Sequence, residues 1–507
     1  MSNFSTAAVF SSNMVLQRDK AVAVFGCGDD GAKVTAEIDG AKKTATVKDG
    51  KWSLQLPPHK AAEGLTMTVS CGDDVRTFTN VAYGEVWLAG GQSNMELELR
   101  GCKEKDVLQT DKEPNVRYYY TNKKIFKDED YWEFEKKSGW TEFSADRAKS
   151  WSAVGYFFAK ELAAKLGVVV GIIGCNWGGT SASYWMSRAS LEKDSDLRAY
   201  LDDLDNATAG KTDEEMKKEW EEYQAYDQAW YKKSLEFYEK FPDGDWDACQ
   251  EYCGPNRYPG PLSPYNPMSA TTLYESMLQR VCPYTLAGFI YYQGESDDHR
   301  PYTYYKLFRA LIQLWRDDWG DDSLPFLFVQ LPMHRYKADE DRKHWCVLRE
   351  AQMKVYQTVK NTGICIALDC GEFNEIHPKT KAPVGHRLAL QALYHVYGFE
   401  DLKETAFSPM YKGYEIVDGG ILLSFKHCYG FKVEGELCGF EVAGADKKFV
   451  PADVEFRGEQ IFVSSNEVAE PLYARYNWTN YGPVAVYGVN GLPLAPFRTH
   501  FEYDIIV

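Results

Sequence analysis

The stretch Gly84-Glu85-Val86-Trp87-Leu88-Ala89-Gly90-Gly91-Gln92-Ser93-Asn94-Met95 decides the fold. Glu85 to Ala89 is an apolar run of strand length. A continuous apolar strand has both faces covered, which is the condition of a parallel sheet packed between helices. Two glycines then turn the chain, and a serine stands where a helix can begin. On such a strand-to-helix turn the hydroxyl is exposed and the serine N–H is free at the helix N-terminus. Those are the needs of a nucleophile whose own amide stabilises an oxyanion. An ordinary N-cap serine gives the same local pattern, so the neighbouring segments have to discriminate.

Four more runs of the same kind follow: 168–173, 287–292, 325–331 and 364–368. Helical patterns lie between them at 153–166, 303–318, 345–360 and 384–397. In 303–318, Tyr304, Leu307, Leu311 and Leu314 recur at spacings of three and four, which puts them on one helix face. The alternation predicts a five-stranded parallel sheet with helices on both sides and a ligand crevice at the carboxyl ends of the strands. Before it, short alternating runs such as Lys33–Ile38 and Lys51–Leu56 are separated by Asp29-Asp30-Gly31 and Asp49-Gly50, and they predict a small antiparallel sandwich. Alternating strands return from about 403 to the end. The expected organisation is therefore an N-terminal β domain over 1–82, an α/β domain over 83–402 and a C-terminal β domain over 403–507. A charged, Trp- and Tyr-rich insertion at about 195–265 interrupts the α/β pattern. It reads as surface cover or as a lid over the substrate.

At 507 residues the chain exceeds one ordinary domain. Asp and Glu outnumber Lys and Arg, 74 to 57, for a formal net charge of -17. That balance argues against nucleic acid and anionic membranes as partners, since both require clustered cations. No stretch approaches the roughly 18 apolar residues of a membrane span. Met1 to Thr6 has neither a basic nor an apolar signal region, so the expectation is a cytoplasmic protein or one stripped of its signal. The 12 cysteines mostly sit singly in apolar runs and read as free thiols. Cys249 and Cys253 lack the partners of a zinc site. Aromatic residues reach 15%, with 34 Tyr and 14 Trp, and some of these rings suit stacking against pyranose faces.

Four clusters fall after predicted strands. Ser93 follows the first, and Asn176-Trp177-Gly178-Gly179-Thr180 the second, where paired glycines let backbone N–H groups approach a substrate. Tyr292-Gln293-Gly294-Glu295-Ser296 follows the third and offers a side-chain amide and a carboxylate. Ile376-His377-Pro378-Lys379 follows the fifth and offers a base on a loop. Each is weak alone; nucleophile, donors and base in this order are not.

This ordered set resembles the SGNH-hydrolase superfamily, and within it the sialate O-acetylesterase-like carbohydrate acetylesterases. Met14-Val15-Leu16-Gln17-Arg18 is similar to the family's opening motif, and Gly491-Leu492-Pro493 with Pro496-Phe497-Arg498-Thr499 to its ending. The resemblance implies a flavodoxin-like catalytic domain that removes O-acetyl groups from a sugar or oligosaccharide without a metal or organic cofactor. It implies Ser93 as nucleophile and His377 as general base. The Ser93 N–H, the Gly179 N–H and the Gln293 side chain would form the oxyanion hole. The acid is ambiguous: the family commonly has Asp just before the histidine, where this chain has Asn374 and Glu375. Glu295 of the Gln-Gly-Glu block is the preferred partner of His377, with Glu375 the alternative. Xylan, xyloglucan and mannan esterases share this chemistry, and a non-catalytic glycan-binding protein is the reading from another class. A site for sialate needs a cation near Ser93, for which Arg100 and Arg257 are the candidates. Oligomeric state is not legible.

Overall fold

The computed structural model describes residues 3–111, 115–125, 129–242 and 244–500. Its centre is a sheet of β1 (Asp74–Gly91), β2 (Val116–Tyr120), β3 (Val170–Asn176), β4 (Gly288–Tyr292), β5 (Phe326–Gln330) and β6 (Thr362–Ile366). The order is β2-β3-β1-β4-β5-β6, with every neighbouring pair parallel. The expectation of five strands is thus corrected to six. The five predicted strands take the order second-first-third-fourth-fifth, the flavodoxin-like arrangement, and β2 is added outside β3. Its sequence, Val116-Arg117-Tyr118-Tyr119-Tyr120, hid it, because a charged residue interrupts the apolar run. Arg117 is nevertheless buried, its guanidinium donating to the carbonyls of Asn13 and Asn80 at 3.2 and 2.5 Å.

The helices used below are α1 (Ser93–Glu96), α2 (Ala153–Leu166), α3 (Asp213–Lys240), α4 (Tyr304–Trp319), α5 (His344–Thr358) and α6 (Ala382–His395). The predicted patterns place α2, α4, α5 and α6 to within two residues at either end. Helix α2 packs against α6, and α4 against α5. Strands β3 to β6 are buried along their whole length, as continuous apolar runs require.

The boundary expected at 82/83 falls inside a strand. β1 is 18 residues long. Its first half pairs antiparallel with Ala62–Cys71 and parallel with Val15–Gln17, and its second half lies between β3 and β4. The N-terminal strands Lys33–Ile38, Ala41–Thr46 and Ala62–Cys71 are therefore continuous with the catalytic sheet by backbone hydrogen bonding, while Ser5–Thr6, Val22–Cys27 and Lys51–Leu56 form a separate antiparallel sheet. The C-terminal region builds its own apolar cluster around Ile421, Leu423, Val442, Ile461 and Val463; residues 501–507 of that predicted domain lie outside the described residues. The insertion is more helical than its sequence suggested. α3 runs 28 residues from a reciprocal cap in which the Thr212 hydroxyl accepts from Glu215 N–H and the Glu215 carboxylate accepts from Thr212 N–H. Among the described residues no helix is long and apolar enough to cross a membrane.

Candidate active site

The carboxyl ends of β1, β3, β4 and β6 bring the four motif clusters to one edge of the sheet. Ser93 opens α1 directly after β1. The turn after β3 folds against it so closely that a Cβ added to Gly178 would lie 3.2 Å from Ser93 Cβ. Gly179 has φ +75, a left-handed conformation that a side chain would strain. Its carbonyl accepts from the hydroxyl of Tyr258, which the insertion contributes. Among the described residues neither Ser93 N–H nor Gly179 N–H has a protein acceptor, and Ser93 Oγ makes no hydrogen bond.

The next residue along is heavily bonded. Asn94 Nδ2 donates to Glu295 Oε1 at 2.7 Å and to the Ile376 carbonyl at 2.9 Å, and Asn94 Oδ1 accepts from Lys381 Nζ at 2.6 Å. One side chain thus ties the nucleophile turn, the loop after β4, the residue preceding His377 and the start of α6. Asn94, Glu295 and Lys381 are all buried. Burial raises the Glu295 pKa, ahead of the opposing influence of its Asn94 hydrogen bond and of Lys381. Burial likewise pulls Lys381 down to about 8, against the carboxylate of Glu295. Lys381 Nζ also sits 5.3 Å from the centre of the Tyr292 ring.

His377 lies in a different environment. Its side chain is 47% exposed, with Nδ1 3.7 Å from Glu375 Oε1. The same carboxylate oxygen accepts from His377 N–H at 2.8 Å, so Glu375 fixes the backbone of the loop as well. The walls of the cleft lower the His377 pKa; Glu375 opposes this and Lys381 reinforces it. Ser93 and His377 share no hydrogen bond in this arrangement.

The two carboxylates weighed from sequence therefore separate. Glu295, the preferred partner of the histidine, bonds to Asn94, while the carboxylate beside the imidazole is Glu375. Gln293 also differs from its expected use. Its Nε2 donates to the Thr180 carbonyl at 3.1 Å and to Asp297 Oδ2 at 2.6 Å, and its Oε1 accepts from Tyr304. Both amide hydrogens are committed, so the side chain braces the turns after β3 and β4. Sequence reasoning assigned no role to Gln92, whose Oε1 accepts from Ser296 N–H at 3.1 Å and whose Nε2 has no acceptor among the described residues. It also assigned none to Asn94 or Lys381. For Asn94 the signal was its place next to Ser93; Lys381 gave none. Arg100 pairs with Glu98, and Arg257 stacks 4.0 Å from the Tyr226 ring centre. Among the described residues no group of three or more His, Cys, Asp or Glu is arranged to hold a metal.

Set beside known proteins, residues 83–217 and 261–394 match the family model described as carbohydrate esterase, sialic acid-specific acetylesterase. The interval between the two matched segments falls in the insertion. A mouse sialate O-acetylesterase is 25% identical over 99% of this chain and 95% of its own length. The human sialate O-acetylesterase is 24% identical over 79% of this chain and 72% of its own. The crystal structure of a carbohydrate acetylesterase from Xanthomonas citri superimposes with a TM-score of 0.76 at 28% identity, covering 98% of this chain and 99% of that one.

Proposed function

The chain belongs to the carbohydrate esterase family of sialic acid-specific acetylesterases, and from that premise we propose that it removes O-acetyl groups from sialic acids, with Ser93 as nucleophile and His377 as base. Hydrolysis of acetyl esters on carbohydrate is its chemistry. One observation carries the residue assignment. Among the described residues Ser93 N–H and Gly179 N–H have no protein acceptor, at a turn that Asn94 ties to the loop of the only histidine among the four clusters.

In this mechanism the Ser93 oxygen attacks the acetyl carbonyl carbon while His377 Nε2 takes the hydroxyl proton. The carbonyl π electrons move onto oxygen, which Ser93 N–H and Gly179 N–H hold. One such donor is typically worth about 3 kcal/mol. Collapse breaks the bond to the sugar oxygen, and His377 returns its proton to that leaving group. Water, deprotonated by His377, then hydrolyses the acetyl-serine and releases acetate. Glu375 is the carboxylate that orients the imidazole; its contact closes to hydrogen-bond distance when substrate excludes water. Asn94, Glu295 and Lys381 position the two loops and take no proton. Gln293 sets the shape of the hole without donating to it.

The test is acetate release from O-acetylated sialosides, acetylated xylan, xyloglucan and mannan fragments, and p-nitrophenyl acetate against the octanoate. The expected order puts the sialosides first and the octanoate last. Preference for a neutral polysaccharide would replace sialate as the substrate. Preference for octanoate would remove the acetylesterase reading altogether.

A further inference from the structure

A cavity of about 620 Å³ opens between residues 123–125, the first turns of α3 and Trp177, the neighbour of the Gly178 that packs against Ser93. Three ammonium groups line it, those of Lys123, Lys124 and Lys217, against one carboxylate, Glu221. In a chain of net charge -17 this is a local reversal of sign. Aromatic rings of Trp177, Trp220 and Tyr265 complete the wall.

The cavity is connected to the chemistry by short links. Lys123 is bonded to Glu96, the last residue of α1, and lies 5.3 and 5.8 Å from the ring centres of Tyr120 and Trp177. The other Glu96 oxygen accepts from Gly178 N–H at 2.6 Å, and Gly178 abuts Ser93. Lys123 is thereby neutralised in place. Lys124 and Lys217 are not: neither makes an ion pair among the described residues. Lys124 holds only a cation–π contact with Phe134, at 5.2 Å. Trp220 is 7% exposed, and its indole Nε1 has no acceptor among the described residues. Uncommitted ammonium groups, aromatic faces and an orphaned donor, one residue along the chain from the Gly178 that abuts Ser93, form the recognition set for a sugar acid. The rings complement the apolar pyranose face and the cations its carboxylate. The volume lies within the roughly 300–1,000 Å³ of small-molecule sites.

We infer that this cavity is a carboxylate subsite, in which Lys124 and Lys217 hold the acid group of a sugar acid while its acetylated hydroxyl reaches Ser93. The inference rests on the esterase reading above. Two sugar classes supply the chemistry, sialic acids and uronic acids, and the charge on the lining does not distinguish them.

The experiment measures kcat/KM for an O-acetylated sialoside and an O-acetylated galacturonide, each as free acid and as neutral methyl ester. Wild type and the double variants Lys124→Ala/Lys217→Ala and Lys124→Arg/Lys217→Arg are compared, with thermal unfolding as the check that each is folded. Wild type is expected to prefer acid over ester by about tenfold or more, through KM. The Ala pair loses that preference and the Arg pair keeps it. Preference confined to the sialoside identifies a sialate subsite; preference confined to the galacturonide, a uronate subsite. Equal turnover of acid and ester by wild type overturns the inference and leaves the esterase reading standing, as does a preference that survives the Ala pair. Release of acetate from none of the sugars, with p-nitrophenyl acetate still hydrolysed, overturns both.

Discussion

Asn94, Glu295 and Lys381 are buried and bonded in one group, whereas His377 and Glu375, on the loop that Asn94 anchors at Ile376, are about half exposed and make one longer contact. The difference follows from solvation. An ionised group out of water is costly unless it is paired and hydrogen-bonded, so the sheet side of the site holds Glu295 and Lys381 through Asn94, with Glu295 Oε2 left without a partner among the described residues. The open side needs no such network, although burial still lowers the His377 pKa, and its half-exposed groups remain accessible to substrate. In the proposed mechanism rigidity and chemistry fall to different residues. Ser93 sits on the seam, its backbone at the start of α1 beside the network and its hydroxyl without a partner among the described residues.

The largest effect is expected at the seam. Ser93→Ala leaves a folded protein whose acetyl-ester turnover falls by about 10⁴ or more, as for triad enzymes generally. Acetate release from the sialoside within tenfold of wild type would move the nucleophile elsewhere and dissolve the distinction between the two regions.

The closed region comes next. Asn94→Ala removes the donor to the Ile376 carbonyl and leaves Glu295 and Lys381 buried without their common partner. We expect kcat to drop about 10²-fold, the scale of a small misplacement of catalytic groups. Stability should fall by about 3 kcal/mol, as when one member of a buried charged network is lost. Denaturant unfolding and turnover measured together check this. A loss of kcat with unchanged stability would make Asn94 part of the chemistry and not of the frame.

How much of this contrast could be read from sequence depends on the side of the seam. The strands and helices of the sheet were legible because burial on both faces writes itself as continuous apolar runs, and Ser93 because a Gly-Gly turn follows one of them. β2 was not, since Arg117 breaks the run while its guanidinium caps carbonyls within the fold. The assignment of Glu295 turned on a backbone detail. Gly294 has φ 145, so the chain leaves β4 in a direction that strand extrapolation does not give, and the carboxylate arrives at Asn94. Lys381 carried no signal at all, because a lysine in a polar loop gives no sign that packing will exclude water from it. The lysine-lined cavity depends on α3 and Trp177, segments far apart in sequence, facing one space.

The two carboxylates then give a smaller effect on rate. Glu375→Gln removes a charge-assisted contact to the imidazolium worth about 1.5–3 kcal/mol when closed, or roughly ten- to a hundredfold in kcat. Glu295→Gln keeps an acceptor for Asn94, and kcat is expected to fall less than tenfold. The reverse ranking would return the triad acid to Glu295.

The smallest effect is a displacement of the pH profile, and it distinguishes the regions by direction. His377 must be neutral to take the Ser93 proton, so kcat/KM rises with pH through the pKa of the free enzyme's histidine. Burial lowers that pKa from the ordinary 6.5, so the acid limb of wild type lies below 6.5. Glu375 raises it through attraction for the imidazolium, while Lys381 lowers it by repulsion. Glu375→Gln should therefore move the limb to lower pH, and Lys381→Met to higher pH. Glu295→Gln should leave it in place, because Glu295 bonds to Asn94 and is not among the charges that act on His377. A limb that moves to lower pH in Glu295→Gln and stays fixed in Glu375→Gln would mean that the buried carboxylate faces the histidine during turnover. The two regions would then be a single triad that opens in the absence of substrate, and the separation seen here would describe only the resting enzyme.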